Sequence, residues 1–195
     1  PISRYFHRIT HPAQLLQCLP EGVRMLTSPT ETGAVTLAFP QDTQAEAWDF
    51  PCDFFEPDAF YIPRYLPDSH QCLRAVEKIA KARRPLIICG GGVKYSAAET
   101  VLSEFLTKYQ IPLVETQSGK GAIAWDHECN LGAVGVTGTS AANLMALEAD
   151  LVIAVGTRLA DFTTASGTQF PRASFIGVNV CANDAAKYNG MPVVG

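Results

Sequence analysis

The 195-residue chain is poor in the groups that usually announce chemistry. Its four histidines, His7, His11, His70 and His127, are dispersed, and neither H-E-x-x-H nor H-x-E occurs, which removes the common metal-hydrolase signatures. No G-x-S-x-G exists, so a strand-to-helix serine nucleophile is excluded. The six cysteines (Cys18, Cys52, Cys72, Cys89, Cys129, Cys181) contain no C-x-x-C. Neither a zinc ribbon nor a dithiol pair is encoded, and reduced thiols of a cytoplasmic protein fit best. No apolar run approaches the roughly 18 residues of a membrane span, and no segment reads as a signal peptide. Basic residues are scattered and outnumbered, 15 against 19, for a net charge of −4. Nothing in that balance favours nucleic acid or an anionic membrane surface.

What is present is an apolar, glycine-punctuated chain, 47% hydrophobic, long enough for one full domain and a remainder. From Asp68 onward helices and strands alternate. A helix capped by Ser69 carries Leu73, Val76, Ile79 and Ala80, and Arg83-Arg84-Pro85 ends it. Leu86–Cys89 follows as a strand without polar alternation, the pattern of burial on both faces. Ser96 and Glu99 form a capping box for a helix bearing Val101, Leu102, Phe105, Leu106 and Tyr109. Ile111–Val114, Leu151–Val155 and Ser174–Val180 are further strands, and a helix runs from Thr139-Ser140 to Ala149-Asp150. This order predicts an α/β fold: a Rossmann-like parallel sheet flanked by helices with right-handed crossovers.

The leading part reads differently. Residues 1–50 contain a helix starting near Thr10-His11-Pro12, interrupted by Pro20 into a kink or two short helices, and one strand at Ala34–Phe39. One helix and one strand bury each other poorly, so this part is expected to complete a sheet made elsewhere. Residues 51–67, with Pro51, Pro57, Pro63 and Pro67 among aromatics, read as an ordered linker with packed rings. Residues 68–195 form the main domain. The start at Pro1 and the apolar Val193-Val194-Gly195 at the end suggest a piece of a longer polypeptide, its last domain cut short.

Open α/β sheets bind ligands at the carboxyl ends of their strands. The residues placed there are Gly90, Gly91, Gly92, Thr116, Gln117, Thr137, Gly138, Gly156, Thr157, Arg158 and Asn179. They form a candidate nucleotide cleft, although no G-x-G-x-x-G and no G-x-x-x-x-G-K-[ST] is present. The competing reading is that the glycines only permit tight turns. Arg158 either clamps a phosphate or pairs with Asp161. No carboxylate pairing can be established, no catalytic residue is assigned, and no metal ligand set is visible.

Several phrases carry a family resemblance. Pro85-Leu86-Ile87-Ile88-Cys89-Gly90-Gly91-Gly92-Val93, Pro112–Thr116 with Gly119–Ile123, Gly135–Thr139 with Ala142-Asn143, and Ala149–Ile153 with Gly156–Leu159 occur in order. Together they resemble the central domain of thiamine-diphosphate-dependent enzymes of the acetohydroxyacid synthase group. Gly33–Asp42 resembles the strand that closes the preceding pyrimidine-binding domain. Ser3–Ile9, Leu37–Asp42 and Asp161–Ser166 look most like a hydrolytic branch, which opens the ring carbon–carbon bond of a cyclic diketone in myo-inositol breakdown. The resemblance implies thiamine diphosphate and Mg2+ held by pyrimidine- and diphosphate-binding domains outside these residues, and a homo-oligomer, dimer or tetramer. It implies that residues 1–195 alone do not turn over. FAD, or ADP, occupies the central domain in some members. Here Gly177–Cys181 and Ala160-Asp161-Phe162 depart from the acidic and arginine residues of the flavin enzymes. An acetohydroxyacid synthase with FAD is the alternative. A self-contained nucleotide enzyme on a similar fold is a third reading, without zinc cysteines or a suitable histidine to support it.

Overall fold

The structure, a computed structural model, describes residues 2–57 and 59–195. The chain divides into two compact units, Pro1–Arg64 and Tyr65–Gly195.

The first unit is a strand–helix–strand motif. Strand β1 (Tyr5–Arg8) pairs in parallel with β2 (Val35–Ala38), from Tyr5 against Val35 to Arg8 against Ala38. Helix α1 (Leu15–Thr27) is the crossover. The sequence reading missed β1, a four-residue alternation of half-buried Tyr5 and His7 with exposed Phe6 and Arg8. Cys18 and Gly22, one turn apart, form the buried face of α1, and a Cβ on Gly22 would stand 3.2 Å from Val35. His11 caps a leading 3-10 turn through Nδ1, with Pro12 next, as the proline position suggested. The expected break at Pro20 is corrected: α1 runs through it. Pro20 and Leu16 are both exposed, so the carbonyl one turn back that loses its donor faces water. The aromatic segment also differs. Phe50, Phe54 and Phe55 cluster around a 3-10 turn at Cys52–Phe55, with centroids 5.1–6.0 Å apart. Phe60, Tyr61 and Tyr65 are exposed instead of packed, because the proline-held chain has no local element over them.

The second unit is a six-stranded, all-parallel sheet in the order β5-β4-β3-β6-β7-β8. Its elements are α2 (Ser69–Lys81), β3 (Pro85–Cys89), α3 (Gly92–Tyr95), α4 (Glu99–Tyr109), β4 (Leu113–Glu115) and β5 (Asn130–Ala133). They continue with α5 (Ser140–Glu148), β6 (Leu151–Val155), α6 (Asp161–Thr164), β7 (Ser174–Asn179), α7 (Ala182–Ala185) and β8 (Met191–Val194). In β3, Leu86 and Ile88 enter one apolar cluster, and Ile87 and Cys89 the other. The absence of alternation seen in the sequence is thus a consequence of two covered faces. Burying each such Leu or Ile contributes about 1.5–3 kcal/mol.

Local expectations needed correcting in four places. Asp68, not Ser69, caps α2, its carboxylate accepting from His70 and Gln71. The helix buries Ala75 with Cys72 and Ile79, while Leu73, Val76 and Ala80 face outward. Helix α4 starts at Glu99 with no side-chain cap, because the turn of α3 and a left-handed Ala97 precede it and displace Glu99 from the third helical position. β5, absent from the strands expected from the sequence, pairs with β4 across a register irregularity. β8, only glimpsed at Val193-Val194, is a paired edge strand.

Both sheet edges are closed by local groups. At β5, the Thr139 hydroxyl and N–H donate to the carbonyls of Leu131 and Ala133. At β8, Pro192 has no N–H to offer, and the Val194 N–H donates to Gln71 at 2.9 Å.

Candidate functional site

Chain order starts at β3 in the middle, runs outward through β4 and β5, then returns to β6 and runs outward to β8. The direction of winding reverses between β3 and β6, which sets a switch point at their carboxyl ends. The loops there are Gly90–Gly92 and Gly156–Arg158. The structure therefore brings together Gly90, Gly91, Gly92, Gly156, Thr157 and Arg158, with Thr116 on one side and Asn179 on the other.

The two loops touch backbone to backbone. Gly92 N–H donates to the Gly156 carbonyl at 2.9 Å, and Gly90 N–H to Val155 at 2.8 Å. A Cβ on Gly90 would stand 2.2 Å from the Gly156 oxygen, and one on Gly92 2.6 Å from the Gly156 Cα. Gly156 itself has φ +60°. Their glycine identity is thus explained by packing of the chain on itself. Other predicted contacts are similarly committed. Asn179 donates from Nδ2 to the Thr157 carbonyl at 3.0 Å, and its Oδ1 accepts from Cys181 N–H at 2.9 Å. The Thr116 hydroxyl accepts from Gly119 N–H at 3.1 Å. Among the described residues, the N–H groups of Gly91, Thr157 and Arg158 have no protein acceptor.

Gln117 and Thr137 are exposed. Thr137 and Gly138 belong to a different loop, after β5. The expected alternative for Arg158, a pair with Asp161, is not formed: the described ion pairs are Arg4–Glu31, Arg84–Glu148 and Asp184–Lys187. Arg158 is exposed, and its carbonyl accepts from Lys187.

The β5 loop is pinned by residues that the site assignment left out. Asn143 on α5 accepts from Gly135 N–H and donates to the Gly135 carbonyl, both at 2.9 Å. Val136 N–H donates to the Phe162 carbonyl at 2.9 Å. Gly135 has φ +104°, and a Cβ there would lie 1.9 Å from that same carbonyl oxygen. The available sequence signal was a lone amide in an otherwise apolar helix. Glu115, at the end of β4, is 5% exposed, and its Oε1 accepts from Gly121 N–H and Asn130 Nδ2, both at 3.2 Å. The Cys89 thiol beside it is pushed up to about 12, first by burial and then by the Glu115 charge. It is a core group and not a nucleophile.

Among the described residues, no three His, Cys, Asp or Glu side chains converge as a metal site. Two open clefts lie at the opposite end of the sheet. The larger, about 530 Å³, is lined by Arg83, Arg84, Tyr109, Gln110, Met145 and Glu148 near the amino ends of β3 and β4.

This winding and its glycine-rich carboxyl-end loops define a Rossmann-like α/β unit. Residues 73–195 match the model of the thiamine pyrophosphate enzyme central domain, and the chain belongs to that family. It is 46% identical, over 99% of its length, to 3D-(3,5/4)-trihydroxycyclohexane-1,2-dione hydrolase of Bacillus cereus (strain AH820). The same identity and coverage hold for the hydrolases of Bacillus anthracis and Bacillus thuringiensis (strain Al Hakam). The chain spans about 30% of the length of these relatives.

Proposed function

We propose that these residues act as the central domain of a thiamine-diphosphate-dependent hydrolase whose substrate is trihydroxycyclohexane-1,2-dione, in the cytoplasm. The observation that carries this is the 46% identity sustained over 99% of the chain to enzymes of that name. The reading gives the central domain an architectural role. Thiamine diphosphate and Mg2+ are held by other parts of a polypeptide of the relatives' length, which assembles as a homo-oligomer. When bound, thiamine supplies the carbanion chemistry that a ring carbon–carbon cleavage needs. The present chain contributes no acid, base or nucleophile to it.

The loops Gly90–Gly92 and Gly156–Arg158 act in this reading as a backbone lock that joins β3 to β6. The N–H groups of Gly90, Gly92, Gly119, Gly138 and Gly156 already serve protein carbonyls. Among the described candidate residues, Gly91, Gln117, Thr137, Thr157 and Arg158 keep N–H groups that could face a phosphate, and FAD or ADP in this domain belongs to the acetohydroxyacid synthase alternative. Absorbance near 450 nm and ADP titration test the two. A colourless protein without ADP binding supports the hydrolase reading, and retained flavin supports the synthase.

A further inference from the structure

The larger cleft at the amino end of the sheet holds about 530 Å³, within the roughly 300–1,000 Å³ of small-molecule sites. Pro85, Ile111, Pro112 and Met145 give it an apolar lining beside the ring of Tyr109. Its acceptors are mostly committed to the protein. Gln110 donates from Nε2 to the Thr107 carbonyl and to Glu128, and its Oε1 faces the Cys129 thiol. Glu148 accepts from Arg84 Nη1 at 2.8 Å. Its donors are mostly open. The Arg83 guanidinium and the Tyr109 hydroxyl have no hydrogen-bond or ion partner among the described residues, and Arg84 bonds through Nη1 alone. Two guanidinium groups against one carboxylate leave the lining one positive charge in excess, in a chain whose net charge is −4. Surplus donors, local positive charge and an apolar wall together select an anion with an apolar body.

We propose that this cleft binds a small monocarboxylate carried on a flat apolar body, with the carboxylate on the Arg83 guanidinium and the body against Tyr109 and Met145. A planar guanidinium meets a carboxylate through two parallel N–H groups. The backbone of Arg83 is already anchored, since its N–H donates to the Asp150 carboxylate at 2.8 Å, so only the side chain remains to be ordered. The Arg84–Glu148 pair neutralises the one acidic group that would repel the anion. The cleft is bordered by Tyr109 at the end of α4 and Glu148 at the end of α5. Carboxyl ends of helices carry partial negative charge, which disfavours a phosphate dianion and leaves a single carboxylate as the better fit. The site lies at the end of the sheet opposite Gly90–Gly92 and Gly156–Arg158, and it does not depend on the hydrolase reading.

Saturation-transfer NMR on residues 1–195 tests it, with benzoate as the probe and benzyl alcohol as its uncharged counterpart. Benzoate is expected to bind saturably in the millimolar range, and benzyl alcohol at least about fivefold more weakly. Arg83→Gln keeps the N–H that holds Asp150 and is expected to weaken benzoate by at least about fivefold. Arg74→Gln makes the same charge change on exposed α2, outside the cleft lining, and is expected to leave benzoate binding unchanged. The comparison of the two probes on the unaltered chain needs no variant. No saturation up to about 20 mM benzoate would overturn the proposal. So would equal binding of the two probes, or an equal loss of benzoate in both arginine variants, which would reduce the effect to overall charge.

Discussion

The sharpest energetic test lies at the amino end of the sheet, in Asp150. Its carboxylate accepts from Arg83 N–H at 2.8 Å and Arg84 N–H at 3.0 Å. Its own backbone donates to the Arg84 carbonyl and accepts from Ser174 N–H. One residue thus ties together the starts of β3, β6 and β7. Burial alone would raise the pKa of Asp150, but the donated N–H groups of Arg83 and Arg84 outweigh it and the folded value is lowered. The stabilisation is therefore present above the unfolded pKa, near ~4, and is lost as pH falls through the lower folded value. Hydrogen bonds to a charged acceptor contribute about 1.5–3 kcal/mol each, and at this partly exposed position water replaces part of the loss. Asp150→Ala is expected to cost about 2 kcal/mol, a Tm lower by about 8 °C for a unit of this size. Asp150→Asn keeps one acceptor, so it is expected to lose about half as much and to flatten the acid limb of stability. Thermal unfolding followed by circular dichroism between about pH 3 and 7 measures both. A Tm for Asp150→Ala within about 1 °C of wild type, or an unchanged acid limb for Asp150→Asn, would refute the reasoning.

Three further outcomes follow from the carboxyl-end loops and the thiols. Gly135→Ala forces a Cβ against the Phe162 carbonyl at φ +104° and is expected to cost at least about 3 kcal/mol in urea unfolding; an unchanged midpoint would contradict the close approach. Arg158→Ala, which removes an exposed guanidinium without an ion partner among the described residues, is expected to change stability by less than about 0.5 kcal/mol. A drop of several degrees would show that the side chain is structural. Thiol titration near pH 8 is expected to modify exposed Cys52 first. Cys18, Cys89 and Cys129, all buried with raised pKa values, should react only on unfolding, and fast labelling of Cys89 in the folded protein would contradict its core placement.

The α/β fold was legible because β3 and β6 announce double burial: Leu86–Cys89 and Leu151–Val155 have no polar residue to place on a solvent face. The Thr139 cap of α5 was legible for a local reason, since a hydroxyl before an apolar run satisfies a free N–H within the same turn. β1 and β5 were not, because strands of four residues carrying Arg or Gly draw their stability from neighbours that a local pattern does not contain. The face of α2 was misread by one position in the helical wheel; Leu73 and Val76 look like core residues until β8 and Cys72 fix the rotation. At the switch point the glycines were legible, while a ligand cradle and tight turns both stayed open as readings. The distinction between a cradle for a ligand and a seat for Gly156 depends on a contact 64 residues away in sequence, from Gly92 to Gly156.

The family rests on the match of residues 73–195, and the reaction rests on relatives of which this chain spans about 30%. Turnover is therefore the deciding measurement. Residues 1–195 and the longest product that contains them are each incubated with 3D-(3,5/4)-trihydroxycyclohexane-1,2-dione, thiamine diphosphate and Mg2+, and loss of the cyclic dione is followed. The expected result is hydrolysis by the long form and none by residues 1–195. Turnover by residues 1–195 alone, or a long form that ignores the dione and condenses pyruvate to acetolactate, would contradict it.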